Sequence, residues 1–330
     1  MIKSIYILNN ESIVETKTEN IPKIIEQKPK LLWIDIKIEN NEFDNEELSL
    51  LTETFKFHEL SIEDCLIPQY HSKIEEFENY VFIAIHGIKS KIADLSEFEN
   101  SIYEIDMFIL KDCVVTVHTD DILILESIFE KAKIKPQVEL KNIENLLYNI
   151  FSKVLDNYEF YIDKMNDKID QIEDKVLENP SNEIMSEIFL LKKIFLTMRK
   201  IIEPQKNVYS YFTREVSPFI SKKSIAYFRD IFYQYDRLSQ TILSFNQIIS
   251  SFLEVYVSRL EVQLNQIIKF LTIIATIFMP AVLITSYYGM NVAFPEHTIL
   301  GSKYAWYFVF FLIIASTLAV YFYIKRKKWF

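Results

Sequence analysis

Residues 267–288 read IIKFLTIIATIFMPAVLITSYY, 22 residues whose one charge, Lys269, stands at the start. As a helix this stretch is long enough to cross about 30 Å of hydrocarbon. Upstream there is no glycine from Ser224 to Tyr288 and one proline, Pro280. Those two residue types interrupt helices most strongly, so the span is expected to continue a helix that begins in water. About 65 residues at ~1.5 Å each make a rod near 100 Å long. Downstream, residues 304–324 are uncharged and supply a second span. Trp306, Tyr307, Tyr321, Tyr323 and Trp329 put aromatic rings near its two ends, as interfacial belts do.

Lys325, Arg326, Lys327 and Lys328 follow directly. Such a cluster sits on the cytoplasmic side, and two spans return everything before residue 267 to that same side. The expectation is a multi-pass protein of the cell (inner) membrane with both termini cytoplasmic. The start, MIKSIYILNN, turns polar too early for a secretory signal.

Composition narrows the function. The 330 residues contain three glycines, Gly87, Gly289 and Gly301. Phosphate loops, dinucleotide fingerprints and nucleophile elbows all need closely spaced glycines, and none of these spacings fits. No convergent nucleophile and base can be named either, so an enzyme is not expected. The net charge of −10, despite the basic tail, describes an acidic body that repels nucleic acid and attracts cations. Cys65 and Cys113 stand alone and read as buried thiols rather than a disulfide or zinc site. The histidines are scattered, and HEL at His58 lacks a second histidine four residues on; each reads as structural.

Residues 1–140 read as an α/β or α+β cytoplasmic domain. LLWIDIKI (31–38), YVFIAI (80–85), IYEIDMFIL (102–110) and CVVTV (113–117) are short and rich in β-branched and aromatic residues, as strands are. FKFHELSIEDCL (55–66) and residues 120–132 carry helical spacing, and Gly87 reads as the turn after a strand. Residues 141–266 form a stalk of long helices: 145–177, then a second from Glu183 towards Pro204 or Arg214 with Ser181 or Asn182 as its cap, then the rod. Residues 267–330 form the transmembrane hairpin, with an outer loop at 289–303 and a basic tail at 325–330.

One face of the rod carries the chemistry. At heptad spacing it reads Glu254, Glu261, Ile268, Ala275, Val282, Gly289, flanked by Ser258, Asn265, Thr272, Met279, Ser286. Small and hydroxyl residues in a membrane helix serve either a packing seam or a pore wall. Two spans cannot enclose a pore, so the second reading needs a symmetric homo-oligomer with this helix innermost. Glu254 and Glu261 would then ring a cation-attracting vestibule, or else lie on an ordinary solvated face. A row of acids, Asp156, Asp163, Asp167, Asp170 and Asp174, interleaves with Lys164, Lys168 and Lys175 and reads as a salt-bridged solvated face, or as a partner for the basic belt.

The span ends in Tyr288, Gly289, Met290, Asn291. This YGMN resembles the signature of the CorA family of magnesium and cobalt transporters. KFLTIIATIFMP (269–280), Pro295 and Glu296 in the outer loop, YFRD (227–230), EFENYVFIAI (76–85) and the terminal KRKKWF also resemble family sequence, in the family's order. The resemblance implies a CorA-like homopentameric channel in the lipid bilayer, with an α+β cytoplasmic domain, a funnel of long helices and two C-terminal transmembrane helices.

It further implies a selectivity filter of Tyr288, Gly289, Met290 and Asn291, and apolar constrictions at Met279, Leu271 and Ile268, Asn265 forming the polar inner mouth. Leu271 lies one residue off the heptad pair, so its place in the pore rests on the resemblance. Neutral oxygens suit Mg²⁺, which sheds water reluctantly and must be released to conduct. No acid stands between Glu261 and Glu296. Mg²⁺ is thus implied as transported and as regulatory ion, with no organic cofactor, and Co²⁺ and Ni²⁺ as further cargo. One regulatory ligand maps to Asp230. The family's second acid falls where this chain has HGIKSKIAD, with Lys89 and Lys91 in place and Asp94 the nearest acid. A Zn²⁺ transporter of the same superfamily and a non-conducting, membrane-tethered metal sensor are the alternatives.

Overall fold

The computed structural model describes residues 1–7, 13–67, 71–89, 95–134, 140–178, 181–214, 220–290 and 302–327. Contacts group the chain into two units, Met1–Leu253 and Glu254–Phe330.

The first unit is built on a seven-stranded mixed sheet. Its strands are β1 (Ile2–Ile7), β2 (Ile13–Thr16), β3 (Leu31–Lys37), β4 (Lys73–Glu76), β5 (Val81–Ile88), β6 (Ile102–Ile109) and β7 (Cys113–His118), in the spatial order β2-β1-β3-β7-β6-β5-β4. Only β3 and β7 run parallel. The four apolar runs of the sequence are β3, β5, β6 and β7, and all four are buried almost throughout. They lack polar alternation because both faces are covered. The edges are the strands that sequence pattern did not single out: β4 is KIEE, and such charge on an edge discourages pairing with other chains.

One face packs on short helices α1 (Ile21–Glu26) and α3 (Glu59–Asp64) and on the helical turn Leu50–Thr54 that follows α2 (Asn45–Ser49), with Ile34, Ile36, Phe82, Phe108 and Val115 meeting Ile24, Leu51 and Ile62 in one core. His58 caps α3, its Nδ1 accepting the Leu60 amide at 3.2 Å. Cys65 and Cys113 are free, buried thiols; burial pushes both up. Gly87 is not in a turn: it lies inside β5, paired with Tyr103, and a Cβ there would collide with the Tyr103 ring.

After α4 (Leu123–Ile134) the helices lengthen. They are α5 (Ile143–Glu178), α6 (Asn182–Phe212) and α7 (Ile225–Tyr288), the last with 64 residues. Asn142 caps α5 through the Asn145 amide (2.9 Å), and Ser181 caps α6 through Ile184 (3.4 Å). Pro204 and Pro280 both sit inside continuous helices rather than ending them. The start of α7 is held by Glu144 of α5, whose carboxylate accepts the Ser221 amide and both the Ser221 and Ser224 hydroxyls. An anion at a helix N-terminus satisfies unpaired amides and opposes the helix dipole.

Among the ties between the sheet and these helices, a carboxamide of α6 makes the most bonds. Gln205 of α6 accepts from the His86 amide (2.9 Å) and the Ser72 hydroxyl (3.0 Å), and its Nε2 donates to the His86 carbonyl (3.1 Å). The Tyr209 and Tyr235 hydroxyls lie 2.8 and 3.0 Å from the same nitrogen. Tyr158 of α5 donates to the His86 carbonyl at 3.0 Å. β4 opposes β5 only as far as Ala84, so Gln205 completes the ladder of β5 beyond the end of its neighbour.

In the second unit α7 and α8 (Ser302–Arg326) each contain a stretch long and apolar enough to span a membrane. The described part of the second stretch is Trp306–Arg326.

Candidate ion pathway

On the apolar stretch of α7 the buried side chains are Ile273 and Ile284, 6 % and 8 % exposed. Eleven residues apart, they share one side of a helix with 3.6 residues per turn. By the same geometry the heptad stripe lies on the opposite side. Glu254, Glu261, Asn265, Ile268, Thr272, Ala275, Met279, Val282, Ser286 and Gly289 are all exposed in the single chain. Met279 and Val282 are 66 % and 59 % exposed. Leu271, at 67 %, is displaced round the helix from the stripe but away from the buried side.

Three threonine hydroxyls within the span donate to the helix itself. Thr272 donates to the Ile268 carbonyl (2.8 Å), Thr276 to Thr272 (2.7 Å) and Thr285 to Ala281 (2.9 Å). That satisfies the donors in hydrocarbon and leaves the hydroxyl lone pairs as the free function, acceptors suited to a hydrated cation.

The helix ends at the signature. The Gly289 amide donates to the Thr285 carbonyl (2.9 Å) and Met290 to Tyr287 (3.3 Å). A Cβ on Gly289 would stand 2.9 Å from the Thr285 oxygen, so this last turn closes only on glycine without a shift. Tyr288 is half-buried, its ring edge-on to Tyr287. Tyr288 and Thr285 line an apolar crevice of about 480 Å³ with Trp306, Tyr307 and Phe310 of α8. Asn291 and Glu296 lie outside the described residues, as do Lys328 and Asp94. Lys325, Arg326 and Lys327 are exposed at the end of α8, and Lys327 stands 5.5 Å from the Tyr323 ring.

Of the two acids expected to bind a regulatory ion, Asp230 alone lies among the described residues. Asp230 is exposed on α7, accepting from Gln234 Nε2 at 2.6 Å. Among the described residues no group of three or more His, Cys, Asp or Glu could hold a metal ion. Lys89, in the stretch where the resemblance places an acid, is bound inside its own unit: its ammonium meets Asp120 at 2.7 Å and its carbonyl accepts from Tyr161 at 2.8 Å.

The lysines interleaved with the aspartate row do not pair with it as a salt-bridged face requires. Lys168 and Lys175 reach Glu187 of α6 at 3.1 and 3.4 Å, and Lys164 lies 4.4 Å from the Phe160 ring. The aspartates themselves are exposed.

Gln205, Glu144 and the pair His118–Asp35 escaped sequence reading, because each is defined by partners 77 or more residues away; a glutamine in a helix or a histidine ending a strand carries no local signal of that.

Comparison with known proteins gives a consistent result. The model of the family described as CorA-like Mg²⁺ transporter protein matches residues 28–326. The cobalt/magnesium transport protein CorA of Thermotoga maritima is 33 % identical over 281 residues, 84 % of this chain and 78 % of its own. The protein of the same name from Methanocaldococcus jannaschii is 25 % identical across the full length of both. The complete structure of the CorA magnesium transporter from M. jannaschii superimposes with a TM-score of 0.81 at 21 % identity, covering 100 % of this chain and 99 % of that one. With one family model spanning five of the seven strands, the long helices and both apolar spans, this chain belongs to the CorA-like Mg²⁺ transporter family.

Proposed function

We propose that this protein is a passive, potential-driven channel for Mg²⁺, with Co²⁺ and Ni²⁺ as further permeant ions, closed by cytoplasmic Mg²⁺. The observation that carries the reading is the stripe on α7. It places Thr272, Ala275, Ser286 and Gly289, with Asn265 just before the span, on the side opposite Ile273 and Ile284, where symmetry-related copies can meet round an axis. A homopentamer, as the family resemblance implies, encloses that axis.

In this reading the ion arrives hydrated. Asn291 and the backbone oxygens beside Gly289 hydrogen-bond its water shell without stripping it, as suits an ion that dehydrates reluctantly. Met279, Leu271 and Ile268 form apolar constrictions that close by excluding water. Asn265 lines the inner mouth, and Glu261 and Glu254 draw the cation into the vestibule. Asp230, exposed on its own subunit, contributes to a regulatory site completed by a neighbouring copy, with Asp94 the acid closest in sequence to the expected partner.

Asn291→Ala is expected to abolish Mg²⁺ uptake into proteoliposomes while the oligomer remains assembled; uptake at the wild-type rate overturns the filter assignment. In the same vesicles, Zn²⁺ flux exceeding Mg²⁺ flux under equal gradients would move the protein to the zinc branch. Flux that ignores Mg²⁺ on the cytoplasmic side would remove the regulatory role.

A further inference from the structure

β3 and β7, the one parallel pair, end side by side at Lys37 and His118. Beyond their carboxyl ends, where α/β sheets bind ligands, lies a cleft of about 290 Å³ lined by Asp35 and His118. Both residues are buried.

Two acceptors stand together there. Nδ1 of His118 lies 2.6 Å from the Asp120 carbonyl oxygen. A carbonyl only accepts, so Nδ1 carries a hydrogen. The lone pair of the neutral ring is then on Nε2, which is buried and has no hydrogen-bond partner. Nε2 is 3.3 Å from Oδ1 of Asp35. One lone pair of Oδ1 accepts the Thr116 hydroxyl, which itself accepts the Trp33 indole N–H at 3.1 Å, and the other is left over. The ammonium groups of the cleft are engaged elsewhere: Lys37 pairs with Asp121, Lys3 lies 3.8 Å from Glu126, and the Met1 amine is held by Glu47 at 2.7 Å.

Three features of this pair match a metal ion. A separation of 3.3 Å is that of neighbouring ligands on a tetrahedral ion with bonds of about 2.0–2.1 Å. The outer contacts are those of metal ligands: an imidazole whose second nitrogen donates to a backbone carbonyl, and a carboxylate oriented by a hydrogen bond. Charge agrees as well, because Asp35, Glu39, Asp121 and Glu126 face only Lys3 and Lys37 in the lining, a negative surplus that a divalent ion balances.

We propose that Nε2 of His118 and Oδ1 of Asp35 form a binding site for a borderline-soft divalent ion, Zn²⁺, Co²⁺ or Ni²⁺. Imidazole suits these ions, whereas Mg²⁺ takes oxygen ligands and keeps its waters, so the site selects against Mg²⁺. It is separate from the stripe on α7 and independent of conduction. Among the described residues no third His, Cys, Asp or Glu converges on it. Water completes the coordination, which leaves the ion exchangeable, unlike the closed sites that hold structural zinc. Burial lowers and Asp35 raises the ring's affinity for protons, the balance lying above the usual histidine value. A proton therefore competes with the ion for Nε2, and binding weakens as pH falls.

The test is Zn²⁺ binding to the full chain in detergent at about pH 8, where an ordinary histidine is neutral, with Mg²⁺ in large excess to fill sites built of oxygen alone. Zn²⁺ is expected to bind through the excess, and His118→Gln and Asp35→Asn are each expected to weaken it by more than ~10-fold, the least that losing even an outer partner costs. Binding at wild-type strength in either variant overturns the site, as does displacement by Mg²⁺. If a variant does not fold, X-ray absorption of the Zn²⁺ bound to the wild type decides. One imidazole nitrogen with oxygens at about 2.0–2.2 Å is expected; oxygens alone overturn the site.

Discussion

Asp106 shows how a single side chain can make a folded unit sensitive to protons. It lies on β6 under α3, 4 % exposed, with Oδ1 lacking a hydrogen-bond partner. Burial and the nearby carboxylates of Glu104 and Asp64 push it well above the usual carboxylate range, against the opposing pull of Lys73. The folded protein therefore holds a proton that the unfolded chain releases above about pH 4. By linkage, stability falls as pH rises from there until the folded value is passed. Asp106→Asn, which cannot ionise, is expected to flatten that decline in thermal unfolding of the full chain across pH 5–8; an unchanged slope shows that the carboxyl is already ionised. None of this was legible in IYEIDMFIL, where Asp106 reads as one polar position in a strand. The strand is recognisable from its β-branched and aromatic neighbours, whereas the burial of its acid depends on a helix encoded 40 residues earlier.

Among the elements, the long helices were the most legible, because absence of glycine and a sustained 3.6-residue period are local properties. Ser181 at the head of α6 was legible for the same reason: a cap acts on the next turn. The start of α7 was not. Its anion, Glu144, comes from another helix and meets Ser221 and Ser224 across 77 and 80 residues. Glu144→Ala should cost about 1–2 kcal/mol, the range of a lost cap, and should speed hydrogen exchange selectively at residues 221–228. Exchange unchanged in that segment would mean that the hydroxyls and water cap the helix unaided. The strands β1, β2 and β4 were missed because they are short, part-exposed edge or near-edge elements whose status depends on the neighbour that they pair with. Pro280 was read as lying inside one span, and the helix does continue through it, as membrane helices do when neighbouring groups re-satisfy the freed carbonyl.

At the scale of the whole molecule, the proposed function is transport that needs no fuel beyond the membrane potential. For a doubly charged ion moving inward, ~4.6 kcal/mol is available per 100 mV, equivalent to roughly a 2,000-fold gradient. Under the proposed function, Mg²⁺ entry into proteoliposomes should therefore rise with an inside-negative potassium diffusion potential, and collapse of that potential should leave only flux down the chemical gradient. Flux indifferent to voltage would point to an electroneutral exchanger. Asn291 as a filter residue rests on the resemblance and lies outside the described residues; the stripe was legible by periodicity, and which way it faces became clear only from the burial of Ile273 and Ile284.

Gln205 has a consequence of another kind. A strand that outruns its neighbour leaves an amide and a carbonyl pointing sideways, and such a pair is a template on which a foreign chain can begin a new strand. At His86 both groups are occupied by a side chain from a helix, so the open rung is closed by something that cannot be extended. The carboxamide that joins sheet to helices is therefore also a guard against self-association, and its loss would be expressed first as aggregation during synthesis.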